Sequence, residues 1–276
     1  MSTWTSSPAP TRYRAVERRV TFAGLLRSEW IKFWSVRSVV VTMAAAFVAI
    51  VGFGVLLPLA VGSQLSGPEA AQQGLDATAV SLQGAQLASL IVAAVGVIVI
   101  AGEFSTGMVR TSFVSAPGRL GVLLAKAVVL AVTVALVLGA AVFIAFLLGQ
   151  AVLDRDGAGA SLGDDGVLRA VLGNVAMLVG IALAGLGLGA LMRNSAGAIC
   201  TLLAALFVLP LLLMAIPESW GGPTLREYYF ANTTTNLIAV QQHADYLSVG
   251  AGLAVFAVWV AVLLGAGALS ARTRDV

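Results

Sequence analysis

The chain has 276 residues, 59% hydrophobic and only 11% charged, with a net charge of +3. Soluble domains carry about 25% charged residues, so this composition excludes an ordinary soluble domain and points to lipid. The single cysteine, Cys200, excludes a disulfide within the chain and reads as a small buried hydrophobe.

Residues 1–20 open with "MSTWTSSPAPT", rich in Ser, Thr and Pro, and are expected to form a disordered cytoplasmic tail. A cleaved signal is not expected. The first apolar run begins only after residue 38 and is longer than a signal core of about 7–15 residues.

Residues 21–37 follow, within "TFAGLLRSEWIKFWSVRS". Phe22, Leu25, Leu26, Trp30, Phe33 and Trp34 recur at helical spacing. Arg27, Lys32 and Arg37, with Glu29 among them, point elsewhere. Such a helix lies in a membrane interface, with Trp30, Phe33 and Trp34 as its apolar anchors. A plain juxtamembrane anchor is the alternative.

Six apolar stretches come next: 39–62, 80–102, 127–153, 170–192, 196–216 and 247–271. About 20 helical residues cross a hydrocarbon core of about 30 Å, and each stretch is long enough. Strands of a barrel would alternate over about 10 residues, a pattern this chain lacks. The fold class is therefore an all-α integral membrane protein, with 21–276 a single membrane domain.

Between the second and third stretches the chain reads "GEFSTGMVRTSFVSAPGRLGVLLAK". Ser105 and Thr106 suit a helix start. Phe104 with Met108, and Val109 with Phe113, share a face at a spacing of four. Pro117-Gly118 ends the run. A short amphipathic helix over 103–116 is expected, with a solvated loop as the alternative.

The remaining connections say less. Residues 154–166 are a Gly- and Asp-rich external turn whose spacing matches no calcium loop. Residues 193–195 force a tight helical hairpin. Gly185, Gly187 and Gly189 permit close packing, more readily within the chain than between chains. Residues 217–246 are long and rich in aromatic rings, including Trp220, Tyr228, Tyr229 and Phe230. They fit a structured external loop or a re-entrant segment. His243, the single histidine, reads as solvated or capping.

Charge placement sets the orientation. With the N-terminus inside, the inner pieces hold Arg12, Arg14, Arg18, Arg19, Arg27, Lys32, Arg37, Arg110, Arg119, Lys126, Arg193, Arg272 and Arg274, leaving three of the 16 Lys and Arg outside. Nine of the 13 acids fall outside. Both termini are therefore expected in the cytosol. The bases flank apolar stretches and meet anionic headgroups, which excludes nucleic acid as a partner.

The segments "LRSEWIKFWSVRS" and "GEFSTGMVRTSFVSAPGRLGVLLAK", in a six-span chain of this length, resemble the type-2 permease family of ATP-binding-cassette (ABC) transporters, in particular its actinobacterial-looking membrane subunits. The resemblance implies that 21–37 is an elbow helix and 103–116 a coupling helix that docks on a separate ATPase. Glu103, Ser105, Thr106, Gly107 and Arg110 match that motif. It further implies two permease copies, identical or paralogous, with two ATPase subunits in a bacterial cell membrane, and often re-entrant helices between the last two spans.

The chain itself lacks a phosphate-binding Gly-x-x-x-x-Gly-Lys-Ser/Thr loop and a His-Glu-x-x-His pair. No catalysis and no cofactor are expected in it; ATP would sit on the partner. The expected function is export of a hydrophobic or amphipathic substrate, driven through the 103–116 helix. An ion-coupled secondary transporter is one alternative, although such carriers keep ionisable groups near the midplane. A non-transporting assembly or immunity subunit is another.

Overall fold

A computed structural model describes residues 21–65, 76–105 and 119–273. The expected tail and residues 106–116 of the expected coupling helix lie outside the described residues.

The described chain is helical and contains no strand. A first helix, α1 (Phe22–Ser35), begins where the Thr21 hydroxyl accepts from the Gly24 N–H at 3.3 Å. It ends at Val36, an extended residue (φ −85°, ψ 103°). Then come α2 (Arg37–Leu65), α3 (Ala77–Ser105), α4 (Arg119–Leu153) and α5 (Val167–Met192). The next crossing is α6 (Ser195–Leu203), a π-turn (Ala204–Val208) and α7 (Leu209–Met214). Two short helices, α8 (Gly222–Glu227) and α9 (Thr235–Ile238), precede α10 (Val249–Thr273). Capping fixes several starts: Asp76 accepts from the Thr78 N–H at 2.8 Å, and Asn194 from the Gly197 N–H at 2.9 Å.

Among the described residues, six helices are long and apolar enough to cross a membrane: Arg37–Gly62, Ala77–Glu103, Leu120–Leu153, Val167–Met192, Ser195–Met214 and Val249–Ala271. These are the six expected stretches with shifted ends. The largest shift is in the third, which starts seven residues earlier and takes in Lys126. A lone lysine would end an apolar helix. This one is neutralised by two carboxylates, so the helix runs through it.

The bundle is layered around α3 and α5, whose most apolar windows are 61% and 67% buried. The Ser195–Met214 and Val249–Ala271 windows are only 11% and 17% buried and lie outermost. Glycine sets the inner seam. A Cβ on Gly96 would overlap the Ala182 carbonyl oxygen, and one on Gly185 would stand 2.7 Å from the Ala93 carbonyl oxygen. The α3 and α5 backbones therefore touch. Gly187 faces the other way and lies against Leu263 of α10. The expected close packing at Gly185, Gly187 and Gly189 is made within this chain, on two neighbours.

The second seam joins α2, α3 and α4. Pro58, inside α2, has no N–H and so leaves the Gly54 carbonyl without its helical donor. Gly149 of α4 passes over that carbonyl, where a Cβ would stand 2.6 Å from the oxygen. Next to it, Gln150 donates to the Ala77 carbonyl at 3.1 Å and to Ser81 Oγ at 3.0 Å, and accepts from the Ala160 N–H at 2.7 Å.

Cys200 differs from expectation. It is exposed, because α6 belongs to the outermost crossing, where an apolar residue need not turn inward.

Candidate functional site: a buried ionic cluster

At the end of the bundle that carries α1, four charged side chains meet. Lys126 Nζ lies 2.6 Å from Glu29 Oε2 and 2.9 Å from Glu103 Oε1. Lys32 Nζ lies 2.8 Å from Glu29 Oε1 and 3.3 Å from Glu103 Oε1. The Lys126 and Glu29 side chains are each 4% exposed, and that of Lys32 is 30% exposed. Two cations and two anions balance, which is the condition under which buried charge is tolerable. Burial by itself would lower the Lys32 ammonium. Its hydrogen bond to Glu29 and the charges of Glu103 and Glu29 outweigh burial and hold it above the ordinary lysine value.

Three helices supply this cluster. Glu29 and Lys32 sit one turn apart on α1, Glu103 ends the apolar part of α3, and Lys126 lies near the start of α4. Glu103 and Lys126 thus flank the α3–α4 connection. Beside the cluster is a cavity of about 440 Å³, walled by Ile31, Val36, Val39, Ile98 and Val99.

The expected site residues divide. Glu103 is turned inward onto Lys126 and Lys32. Ser105 closes α3. Thr106, Gly107 and Arg110 lie outside the described residues. On α1, Phe33 is 4% exposed and joins the core, whereas Trp30 and Trp34 are each 43% exposed, with rings 6.0 Å apart. The expected apolar face is therefore split, one ring turned in and two out. Glu29, expected on the polar face, is buried beside Phe33. The missed signal was the sign pattern: Glu29 three residues before Lys32, and Glu103 and Lys126 of opposite sign on the two legs of one hairpin.

The segment between the last two crossings forms a second feature. The Tyr229 hydroxyl donates to the Ala205 carbonyl at 2.6 Å, ten residues beyond Ser195. The Trp259 indole, ten residues beyond Val249, donates to the Tyr228 carbonyl at 3.1 Å. At about 1.5 Å per residue, both contacts lie about 15 Å along their helices. Tyr228 and Tyr229 therefore lie beside the middle of those two helices. Phe230 stacks on Phe256 with centroids 5.1 Å apart. Glycine makes room: Gly173 meets the Leu237 carbonyl, and Gly252 meets that of Thr233. Asn236, 3% exposed, ties the segment by donating to the carbonyls of His243, Tyr246 and Leu247 at 2.9, 3.3 and 3.1 Å and accepting from the His243 N–H at 2.8 Å. A cavity of about 160 Å³ lies at this depth, lined in part by Gln86, Ser89, Met177, Pro210, Phe230 and Asn232.

The π-turn explains the Tyr229 contact. The Leu209 N–H returns five residues, to the Ala204 carbonyl. In that register the next donor, at 210, would return to Ala205. Pro210 has none, and Tyr229 supplies the bond from outside the helix.

Comparison of the chain with known protein families and with curated proteins finds no match.

Proposed function

We propose that the chain is the permease subunit of an ATP-driven transporter, with both termini in the cytosol. It would export a hydrophobic or amphipathic substrate as a pair of permease copies, identical or paralogous, with two ABC ATPase subunits. ATP is bound and hydrolysed on those partners, and the chain carries no cofactor. The ATPase would engage the 106–116 stretch, where Thr106, Gly107 and Arg110 are the candidate contacts. Helix α1 would be the elbow on the inner leaflet of a bacterial cell membrane, with Trp30 and Trp34 toward lipid.

The observation that carries this reading is the place of the buried charge. Among the described residues, all four ion pairs gather at the root of one hairpin, at one end of the bundle. Ion-coupled carriers bind their ions near the midplane, on charged side chains or unwound carbonyls. Here the carbonyl released by the break at Pro210 is taken by Tyr229. Charge at a hairpin root suits mechanical input better than ion binding.

The test has two parts. Reporter fusions within 106–116 should place that stretch in the cytosol. Co-expression with the ATPase of a neighbouring reading frame should give a complex whose ATP hydrolysis is stimulated by substrate, and Arg110→Glu should abolish co-purification. A hairpin on the outer face, or solute movement with no nucleotidase bound, would defeat the reading.

A further inference from the structure

We infer that Glu29, Lys32, Glu103 and Lys126 form a mechanical joint that makes α1 travel with both legs of the α3–α4 hairpin. The identity of what pushes the hairpin rests on the function proposed above; the joint itself does not.

Three observations combine. The first is connectivity. Lys126 on one leg binds Glu103 on the other leg and Glu29 on α1, while Lys32 of α1 reaches back to Glu103. Each helix is thus bonded to both others. Apolar side chains can slide past one another, but charge-assisted bonds at 2.6–2.9 Å are short and directional. A one-turn slip would bury unpaired charge.

The second observation is a pivot. A single extended residue, Val36, separates α1 from α2. The two helices are not one continuous rod, so rotation about Val36 can reorient α1 while α2 stays in place.

The third is free volume. Helix α1 rides on α4, with Leu25 over Gly121 and Phe33 in the core. Toward α3 it faces the cavity of about 440 Å³ lined by Ile31, Val36, Ile98 and Val99. Beyond the ionic contact, little packing resists movement on that side. A displacement of the hairpin therefore passes through the joint, swings α1 about Val36 and changes the size of this cavity. On this reading α1 is a driven part and more than a passive anchor. Glu29 and Lys126 are positioning residues for coupling.

The experiment uses the full chain with Cys200→Ala, which removes its one cysteine. Spin labels are placed at Ser28→Cys on α1 and Leu124→Cys on α4, both exposed. The test variant is the double substitution Glu29→Gln with Lys126→Met. It removes one charge of each sign and leaves Lys32 with Glu103, so the bundle keeps its charge balance. In the parent the labels should report one narrow distance; in the double variant the distribution should broaden.

Reconstituted with the ATPase, the double variant should still hydrolyse ATP but move about ten-fold less substrate per ATP, within the span of ordinary coupling energies. A bifunctional thiol reagent bridging positions 28 and 124 in the unlabelled double variant should restore transport, which a purely structural role would not predict. An unchanged distance distribution, unchanged transport per ATP, or failure of the bridge to restore it would each overturn the inference. If the parent chain binds no ATPase, the proposed function fails, and the distance measurement alone still decides whether α1 and the hairpin root are one body.

Discussion

Gly96→Ala should destabilise the bundle by about 2 kcal/mol. The added Cβ would overlap the Ala182 carbonyl oxygen and stand 2.9 Å from its carbon and 3.1 Å from its Cα. Carbon–oxygen contacts across helices settle at about 3.3–3.6 Å, so α3 and α5 must part by about 1.5 Å. That movement also lifts Gly185 off Ala93 and Gly189 off Val97, so the whole seam loosens. Overpacking of this kind costs up to about 3 kcal/mol. Alanine returns about 1 kcal/mol through its better helix propensity, which leaves the net figure. At about 2–4 °C per kcal/mol for a chain of this size, the melting temperature should fall by roughly 4–8 °C. The assay is thermal unfolding in detergent, followed by the loss of the monodisperse peak. Gly265→Ala is the control: its Cβ would meet nothing within 4 Å, so it should melt at or slightly above the parent. If Gly96→Ala melts with Gly265→Ala, the backbone-to-backbone seam is wrong.

Tyr229→Phe leaves the Ala205 carbonyl without its donor and should cost about 1 kcal/mol, read as a lower melting temperature with unchanged helix content. Asn236→Ala removes one donor from each of three carbonyls and the acceptor from one N–H, and should cost about 1–3 kcal/mol. Limited proteolysis should then cut residues 239–248 faster while α5 stays intact. Lys32 has a raised pKa, so its contribution is complete below the ordinary value of 10.5 and is lost only as pH rises through the raised one. The stability difference between the parent and Lys32→Met should thus be equal at pH 7 and pH 9 and shrink only above 10.5. A difference that closed between pH 7 and 9 would contradict the ion pairing.

The crossings were legible in the sequence because lipid leaves an apolar run of this length only one solution, a helix that satisfies its own backbone. The start of the third was not. Lys126 reads as a boundary until its neutralising partner is seen, and Glu29 lies 97 positions away. The same distance hid the burial of Glu29, since a hydrophobic face drawn on α1 alone cannot show that a carboxylate on it will meet a lysine from another helix. Within 217–246 the aromatic residues were visible, but their depth was not. That depth depends on Gly173 and Gly252, on carbonyls they admit, and on a vacancy in the backbone ladder at Pro210. Each is a relation between remote segments. Of the candidate contacts on the hairpin, Glu103 was singled out by its motif, but its pairing with Lys126 and Lys32 joins remote positions that the sequence does not connect.

The crossing from Ser195 to Met214 is two rods with unequal footing. The lower rod, α6, is wedged against α3 and α5, and the upper one, α7, leans on α8. Between them one rung of the ladder belongs to a phenol from a different stretch of chain. The tilt of the upper rod and the seating of the returning loop are therefore coupled through that bond. Anything that unseats the tyrosine lets the rod lean, and anything that leans the rod draws the loop with it.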